Sequence, residues 1–260
     1  MRVLLDAHPW INCGAEPMII LHLLEKRAEM IRLHLERAKK ANIYPTALNK
    51  ATAAFIFEMA TNMVSEAKIY CQKQPWLFMY LDFLSAVFPQ AKFVHMLRDG
   101  RAVVASTIER RFYSGYTANN PHDGIKEWDR NVRTMLGNCQ KIGPERCYTV
   151  WYEKLVMDPE KEMRDVLAFL EVPWDPIVLR HETVLSNISY LSPFEASTMQ
   201  VKRPIHIESL FKWASSNSSL PSWLVKNATE YSPLLNQLGY KNVGSPPDYR
   251  KLPAAVPIII

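Results

Sequence analysis

Two arginines and a serine in the segment FVHMLRDGRAVVASTIERR have the types and spacing of a phosphate site. Arg98 directly follows the apolar run FVHML, which is typical of a buried strand, and open α/β sheets bind ligands at the carboxyl ends of their strands. Ser106 and Arg110 are four residues apart, so on the predicted helix their side chains share one face. Two guanidinium groups and a hydroxyl would suit a phosphate. The alternative interpretation is a solvated turn with surface arginines.

The elements that would position these side chains alternate between strand and helix. Periodicity predicts strands over residues 68–73, 92–97 and 147–152. It predicts helices over residues 17–41, 46–67, 76–88, 101–111, 122–143, 159–172 and 176–185, with two short helices after residue 204. This alternation indicates an α/β fold, a parallel sheet flanked by helices, in one domain over residues 1–260. About the last 15 residues are expected to form an extended tail.

Composition and motifs exclude several classes of function. The chain of 260 residues carries 31 basic and 26 acidic side chains, and a net charge of +5 is too mild to indicate nucleic acid. No apolar run approaches the roughly 20 residues of a membrane span, and the start MRVLLDAHPW lacks the pattern of a signal peptide. No Cys/His spacing indicates a metal, and no G-x-x-x-x-G-K-[ST] motif supports a kinase or NTPase. We therefore expect no nucleic acid, no membrane span and no metal.

Cysteines and glycosylation sequons favour the secretory pathway. The four cysteines are Cys13, Cys71, Cys139 and Cys147. They allow three pairings, among which the sequence alone does not choose. The last two flank the turn QKIGPER, between a predicted helix and a predicted strand, so a bridge there would close easily. Sequons for N-linked glycans occur at Asn187, Asn217 and Asn227.

An ordered set of motifs resembles the tyrosylprotein sulfotransferases. The stretches LLDAHP, CGAEP, YCQKQPW, FPQAKFVHMLRDGRAVVAS, CYTVWYEKLVMDPEKEMRDVLAFL and STMQVKRPIHIESLFKW follow one another in that order. The resemblance runs from Met1 to about Tyr249. It implies a Golgi enzyme with a P-loop-like sulfotransferase fold that moves a sulfuryl group from 3′-phosphoadenosine 5′-phosphosulfate (PAPS) to tyrosine hydroxyls of secretory proteins. It also implies a homodimer.

The resemblance assigns roles to individual residues. Glu16 matches the general base, and Lys73 and Ser197 match the groups that stabilise the transition state. Arg98, Ser106 and Arg110 match the residues that grip the 3′-phosphate of the donor. Further donor contacts are expected from Tyr152, Ser197, Thr198, Gln200, Val201, Lys202, His206 and Lys212. The disulfide pairs implied by the resemblance are Cys13 with Cys71 and Cys139 with Cys147.

The sequence also departs from the family pattern. The Gly-rich loop that cradles the 5′-phosphosulfate is expected immediately before MRVLLDAHP, so the fold is expected without its first strand and this loop. Near the acceptor peptide, Met18 and His22 stand where the family has basic residues, and Gln74 stands where it has an acidic one. These departures leave a second hypothesis open: a catalytically impaired relative that binds nucleotide or peptide and acts through a partner.

Overall fold

A computed structural model describes residues 1–111, 113–184, 191 and 201–258. The chain divides into two compact units. The first comprises Met1–Ala91 and Asp175–Pro204, and the second comprises Lys92–Trp174 and Ile205–Ile260. The single domain expected over residues 1–260 stays a prediction.

The first unit contains one parallel pair of short strands and several helices. Its α-helices are α1 (Arg2–Asp6), α2 (Met18–Lys40), α3 (Thr46–Asn62) and α4 (Leu81–Val87). Its strands are β1 (Ile11–Asn12) and β2 (Ile69–Tyr70), and 3₁₀ helices cover Pro75–Tyr80 and Pro176–Thr183. Helix α2 buries the stripe formed by Ile20, Leu21 and Leu24. This stripe follows the 3.6-residue period from which the helix was predicted.

The second unit is built on a longer parallel strand pair. Its strands are β3 (Phe93–Leu97) and β4 (Cys147–Trp151). Its α-helices are α5 (Gly100–Arg110), α6 (Pro121–Ile142), α7 (Tyr152–Met157), α8 (Pro159–Phe169), α9 (Glu208–Phe211), α10 (Ser222–Tyr231) and α11 (Pro233–Gln237). Short 3₁₀ helices cover Lys212–Ala214, Tyr240–Val243 and Tyr249–Lys251. Strands β3 and β4 pair residue for residue from Phe93 with Cys147 to Leu97 with Trp151.

The crossover between β3 and β4 forms much of this unit's core. Helix α6 buries an apolar stripe that includes Ile125, Trp128 and Leu136, and these side chains pack in one cluster with Leu97 and Trp151. Gly143 ends α6 with a φ of 91°, a conformation that favours glycine. The chain then enters β4 parallel to β3, as a strand–helix–strand unit requires.

The α/β class with parallel strands is confirmed, with differences in detail. Described strands form two separate two-stranded sheets rather than one. Helix α1 and strand β1 were not predicted, because two strand residues are too few to show alternation. The helix predicted over 76–88 consists of the 3₁₀ helix Pro75–Tyr80 followed by α4, and the helix predicted over 176–185 is the 3₁₀ helix Pro176–Thr183. Helix α3 ends at Asn62 rather than continuing to residue 67. Within the described ranges, no helix has the length and apolar character needed to cross a membrane.

Candidate active site

The first cluster of candidate residues follows the β1–β2 pair. Asn12 lies opposite Tyr70 in this parallel pair, so Cys13 and Cys71 leave the two strands side by side. They form a disulfide with their Cα atoms 4.2 Å apart. Glu16 lies three residues after Cys13, and Lys73 lies two residues after Cys71. The bridge therefore brings a carboxylate and an ammonium group together.

Glu16 accepts hydrogen bonds at both carboxylate oxygens. The Lys73 ammonium forms an ion pair with Oε2, and the side-chain amide of Gln74 donates to Oε1 at 2.5 Å. The Glu16 side chain is 20 % exposed and that of Lys73 is 34 % exposed, so water still reaches the pair. A carboxylate held by two donors and open to solvent is oriented and accessible, as a general base must be.

A buried carboxylate fixes the turn that carries Glu16. Asp6 accepts a hydrogen bond from the backbone N–H of Cys13 at 2.5 Å and pairs with Arg2 at 3.0 Å. Burial raises the pKa of Asp6, and its hydrogen bond from Cys13 and the charge of Arg2 oppose that shift. Gly14 has a φ of 66°, and a Cβ there would lie 2.6 Å from a methyl of Val64. The turn therefore requires glycine at this position.

The second cluster lies at the carboxyl end of β3. The Arg98 guanidinium stacks over the ring of Tyr152 at 4.5 Å and donates through Nη2 to the carbonyl oxygen of Ser209 at 3.0 Å. The hydroxyls of Tyr152 and Ser209 are hydrogen-bonded at 2.8 Å. The Nε of Arg98 is buried and has no hydrogen-bond partner among the described residues. A buried donor on a charged group is costly unless a ligand satisfies it.

Helix α5 brings a second guanidinium toward Arg98. Burial lowers the pKa of Arg110, and the positive charge of Arg98 lowers it further. Like charges held in a half-buried region repel one another and gain most from an anion. Ser106 lies one turn earlier on α5 and is half-buried. Nearby, the exposed Lys212 ion-pairs with Glu109.

The other charged residues of the RDGR motif form a buried network. Asp99 is fully buried, caps α5 by accepting the N–H of Arg101 at 3.0 Å, and pairs with the guanidinium of Arg101 at 2.8 Å. The Tyr249 hydroxyl donates to Asp99 at 3.1 Å. The Arg101 guanidinium also stacks over Trp213 at 4.1 Å. Arg98 therefore belongs to the candidate site, whereas Asp99 and Arg101 hold the turn in place.

Comparisons with known proteins agree with this geometry. A sequence profile described as "Sulfotransferase family" matches residues 1–176. The chain is 35% identical to Protein-tyrosine sulfotransferase 1 of Danio rerio over 96% of its own length and 70% of that protein. The chain belongs to the protein-tyrosine sulfotransferase family.

Two further relatives align with almost the whole of this chain and are longer than it. Protein-tyrosine sulfotransferase A of Caenorhabditis elegans is 34% identical, and the aligned part covers 96% of this chain and 66% of that protein. The Drosophila melanogaster protein-tyrosine sulfotransferase is 36% identical, with 51% of its length covered. The chain thus spans about two thirds of the length of the nematode protein and about half of the length of the insect protein.

Solved structures show the same fold. The sulfotransferase domain from the curacin biosynthetic pathway superposes with a TM-score of 0.60 at 19% identity, covering 90% of this chain and 92% of that domain. The sulfotransferase domain of the Synechococcus PCC 7002 olefin synthase gives a TM-score of 0.58 at 22% identity, covering 90% and 88%. Both superpositions therefore support the sulfotransferase fold for this chain.

The remaining predicted site residues of this family member fall into three groups. The Val201 carbonyl accepts a hydrogen bond from Nε2 of His181 at 3.0 Å, Lys202 is exposed, and His206 is half-buried. The sequons at Asn217 and Asn227 are exposed, the second on helix α10. Outside the described residues lie Asn187, Ser197, Thr198 and Gln200.

The second disulfide joins helix α6 to strand β4. Cys139 and Cys147 are bridged with a Cα separation of 5.4 Å, so both pairings implied by the resemblance are present. Among the described residues, no group of three or more His, Cys, Asp or Glu side chains is arranged to hold a metal ion.

Sequence reasoning missed Gln74 and Ser209, which contact predicted site residues, and Glu153, which contacts the residue after Arg98. Gln74 had been noted only as a departure from the family, yet it holds the carboxylate of Glu16. Ser209 contacts both Arg98 and Tyr152 across a long sequence separation. Glu153, which follows Tyr152, accepts the N–H of Asp99 at 2.8 Å. The Tyr-Glu dipeptide at the end of a predicted strand was the only signal for Glu153.

Proposed function

We propose that this chain is a protein-tyrosine sulfotransferase that transfers the sulfuryl group of PAPS to tyrosine hydroxyls of secretory proteins. The proposal is carried by Arg98, which stands at the family position for the 3′-phosphate. Its buried Nε has no hydrogen-bond partner in the part of the chain that the structure describes. The proposal is supported by relatives in nematodes, insects and fish that are protein-tyrosine sulfotransferases.

The donor side of this function rests on the second unit. We assign the 3′-phosphate to Arg98, Ser106 and Arg110. The repulsion between the two guanidinium groups, which lowers the pKa of Arg110, would be relieved by a dianionic phosphate. Tyr152 holds the Arg98 guanidinium in place through its ring and its bond to Ser209. Charge-assisted hydrogen bonds of this kind contribute about 1.5–3 kcal/mol each.

The acceptor side rests on the first unit. A tyrosine hydroxyl has an ordinary pKa of about 10, so at neutral pH its attack on sulfur benefits from a base. We assign this role to Glu16, whose carboxylate accepts the phenolic proton while the phenolic oxygen bonds to sulfur. The bond between that sulfur and the 5′-phosphate oxygen breaks, which leaves 3′,5′-ADP. Lys73 is assigned to the negative charge that develops on the transferred group.

Further assignments follow the family resemblance. Ser197 would stabilise the transition state, and Thr198, Gln200, Val201, Lys202, His206 and Lys212 would contact the donor. The expected setting is the Golgi lumen, with tyrosine-containing secretory proteins as substrates, glycans at the sequons and a homodimer as the assembly. The expected reaction uses no metal.

The experiment is transfer of labelled sulfate from PAPS to a tyrosine peptide with acidic neighbours, using the whole chain made in a secretory host. Glu16→Gln is expected to lower kcat by about 10²- to 10⁴-fold, as loss of a general base does. Arg98→Ala is expected to raise the KM for PAPS at least tenfold, since it removes about 1.5–3 kcal/mol of charge-assisted bonding. Glu36→Gln and Arg32→Ala change exposed side chains of α2 and serve as matched controls.

Three outcomes decide between the candidate functions. Transfer that is lost in Glu16→Gln and retained in the controls supports the enzyme. Binding of 3′,5′-ADP without transfer would instead indicate a nucleotide-binding relative that acts through a partner. Transfer that is unchanged in both Glu16→Gln and Arg98→Ala would contradict the assignments of base and phosphate site.

A further inference from the structure

A buried carboxylate, that of Glu153, contacts the residue that follows Arg98 of the proposed phosphate site. Glu153 is 1% exposed, and its Oε1 accepts the backbone N–H of Asp99 at 2.8 Å. That amide belongs to the residue after Arg98, so the carboxylate fixes the point at which β3 ends. The ring of its chain neighbour Tyr152 lies against the guanidinium of Arg98. The first turn of α7 therefore holds both the backbone and the side chain of Arg98.

The charges around Glu153 come from several elements. Arg98 and Asp99 face it from the end of β3, with opposite effects on its ionisation. From the carboxyl-terminal segment, the Tyr240 hydroxyl donates to Oε2 at 3.1 Å, and the Tyr249 hydroxyl bonds to Asp99. From helix α5, the buried guanidinium of Arg101 pairs with Asp99 and donates to the carbonyl oxygen of Tyr240. The charge of Arg98 favours the ionised form of Glu153.

We propose that Glu153 is a positioning residue of the Arg98 phosphate site and that it takes up a proton from solution when a phosphate binds there. This inference rests on the phosphate site of the proposed function and adds a proton to its binding step. No bond other than the new O–H of the carboxyl group is formed or broken.

The direction of the coupling follows from the charges. Burial raises the pKa of Glu153 from its ordinary value of 4.5 to about 7, and the hydrogen bond from the Asp99 N–H and the nearby charge of Arg98 oppose that rise. A bound phosphate offsets the positive charge of Arg98, so the pKa of Glu153 rises further and the carboxylate takes up a proton. By linkage, protonation of Glu153 must then strengthen phosphate binding by the same factor. The affinity is expected to fall as the pH rises above 7.

The size of the effect is set by the pKa change on binding. A rise of about one unit makes the dissociation constant about tenfold larger on the alkaline side of the transition than on the acidic side. Ionisation of the ligand's own phosphate acts in the opposite direction near pH 6. That contribution is common to wild type and variants, so it cancels when their dissociation constants are compared at each pH.

The test is calorimetric titration of the whole chain with 3′,5′-ADP from pH 6 to pH 9, in two buffers of different ionisation enthalpy. The wild type is expected to take up a fraction of a proton above pH 7. Glu153→Gln keeps a side-chain oxygen for the Asp99 N–H but cannot titrate. It is expected to bind 3′,5′-ADP without this proton uptake. The ratio of the wild-type dissociation constant to that of Glu153→Gln should therefore increase as the pH rises. Glu162→Gln, which alters another buried glutamate, is the matched control and should behave as the wild type.

A second variant decides the question where Glu153→Gln fails to fold. Tyr240→Phe removes the hydroxyl that stabilises the ionised carboxylate, so the pH range of proton uptake should move upward. The inference is overturned if wild type and Glu153→Gln take up the same number of protons on binding 3′,5′-ADP. It is also overturned if wild type and Tyr240→Phe show the same proton uptake at every pH. In both cases the proposed phosphate site itself stands. Wild type that fails to bind 3′,5′-ADP overturns the proposed phosphate site and the inference with it.

Discussion

The close contact between Gly100 and Trp128 gives a prediction whose size follows from the structure. Gly100 is the first residue of α5, two residues after Arg98. A Cβ at Gly100 would lie 2.6 Å from two carbons of the Trp128 indole and 2.9 Å from a third. The indole is 3% exposed and belongs to the core, so it has little room to retreat. Gly100→Ala is therefore expected to cost about 1–3 kcal/mol in the free energy of unfolding, the usual range for overpacking.

Two other glycines of the same unit supply a graded control. A Cβ at Gly137 on α6 would meet nothing within 4 Å, so Gly137→Ala should stabilise by about 1 kcal/mol through helix propensity. A Cβ at Gly124 on α6 would lie 3.0 Å from a methyl of Val104. Gly124→Ala should fall between the two others, because the methyl contact offsets the helix propensity. From most to least stable, the expected order is therefore Gly137→Ala, Gly124→Ala and Gly100→Ala.

The measurement is urea unfolding followed by circular dichroism, with equal m values as the sign that one transition is compared. A double-mutant cycle adds a direct check on the contact. Trp128→Leu removes the atoms with which the new Cβ would clash. It should therefore lower the free energy of unfolding by less in the Gly100→Ala background than in the wild type. Equal stability of Gly100→Ala and Gly137→Ala, or a cycle without coupling, would refute the reasoning.

Three more predictions concern charge. Because the pKa of Glu153 is raised from 4.5 to about 7, the folded state binds more protons than the unfolded state between these values. The stability of wild type relative to Glu153→Gln should fall by about 3 kcal/mol as the pH rises through this window, and a flat difference in urea unfolding would contradict the shift. Gln74→Glu places a second carboxylate against Glu16, so the acidic limb of the pH profile of kcat/KM should move to higher pH. An unmoved limb would argue against Glu16 as the base. Lys212→Ala removes an exposed ion pair with Glu109 and should change stability by less than about 1 kcal/mol. A raised KM for PAPS would then report donor contact, and an unchanged KM would remove Lys212 from the donor site.

Local pattern predicted the parts of the site that lie close together in sequence. The apolar run before Arg98 indicated a strand end, and the spacing of Ser106 and Arg110 indicated one helix face; β3 and α5 have these bounds to within a residue or two. The periods of 2 and 3.6 residues carry this information because each depends only on neighbours in the chain.

Contacts between distant segments could not be predicted in the same way. Gln74 reaches Glu16 across 58 residues, and Ser209 reaches Arg98 across 111. No local period encodes such a contact, because it depends on how distant segments pack together. The pairing of Cys13 with Cys71 shows the same dependence: three pairings were open in sequence, and the alignment of β1 with β2 makes this one possible.

The RDGR motif shows why one short stretch needs both accessible and buried charges. An arginine that binds phosphate must be held still without having its charge neutralised by a permanent carboxylate partner. Arg98 meets this need through an aromatic ring and a carbonyl oxygen, neither of which carries a formal charge. The carboxylates of Asp99 and Glu153 accept backbone N–H groups, one capping α5 and the other accepting the Asp99 N–H. Arg101 pairs with Asp99 in the core, so the Asp99 carboxylate already has a cationic partner other than Arg98.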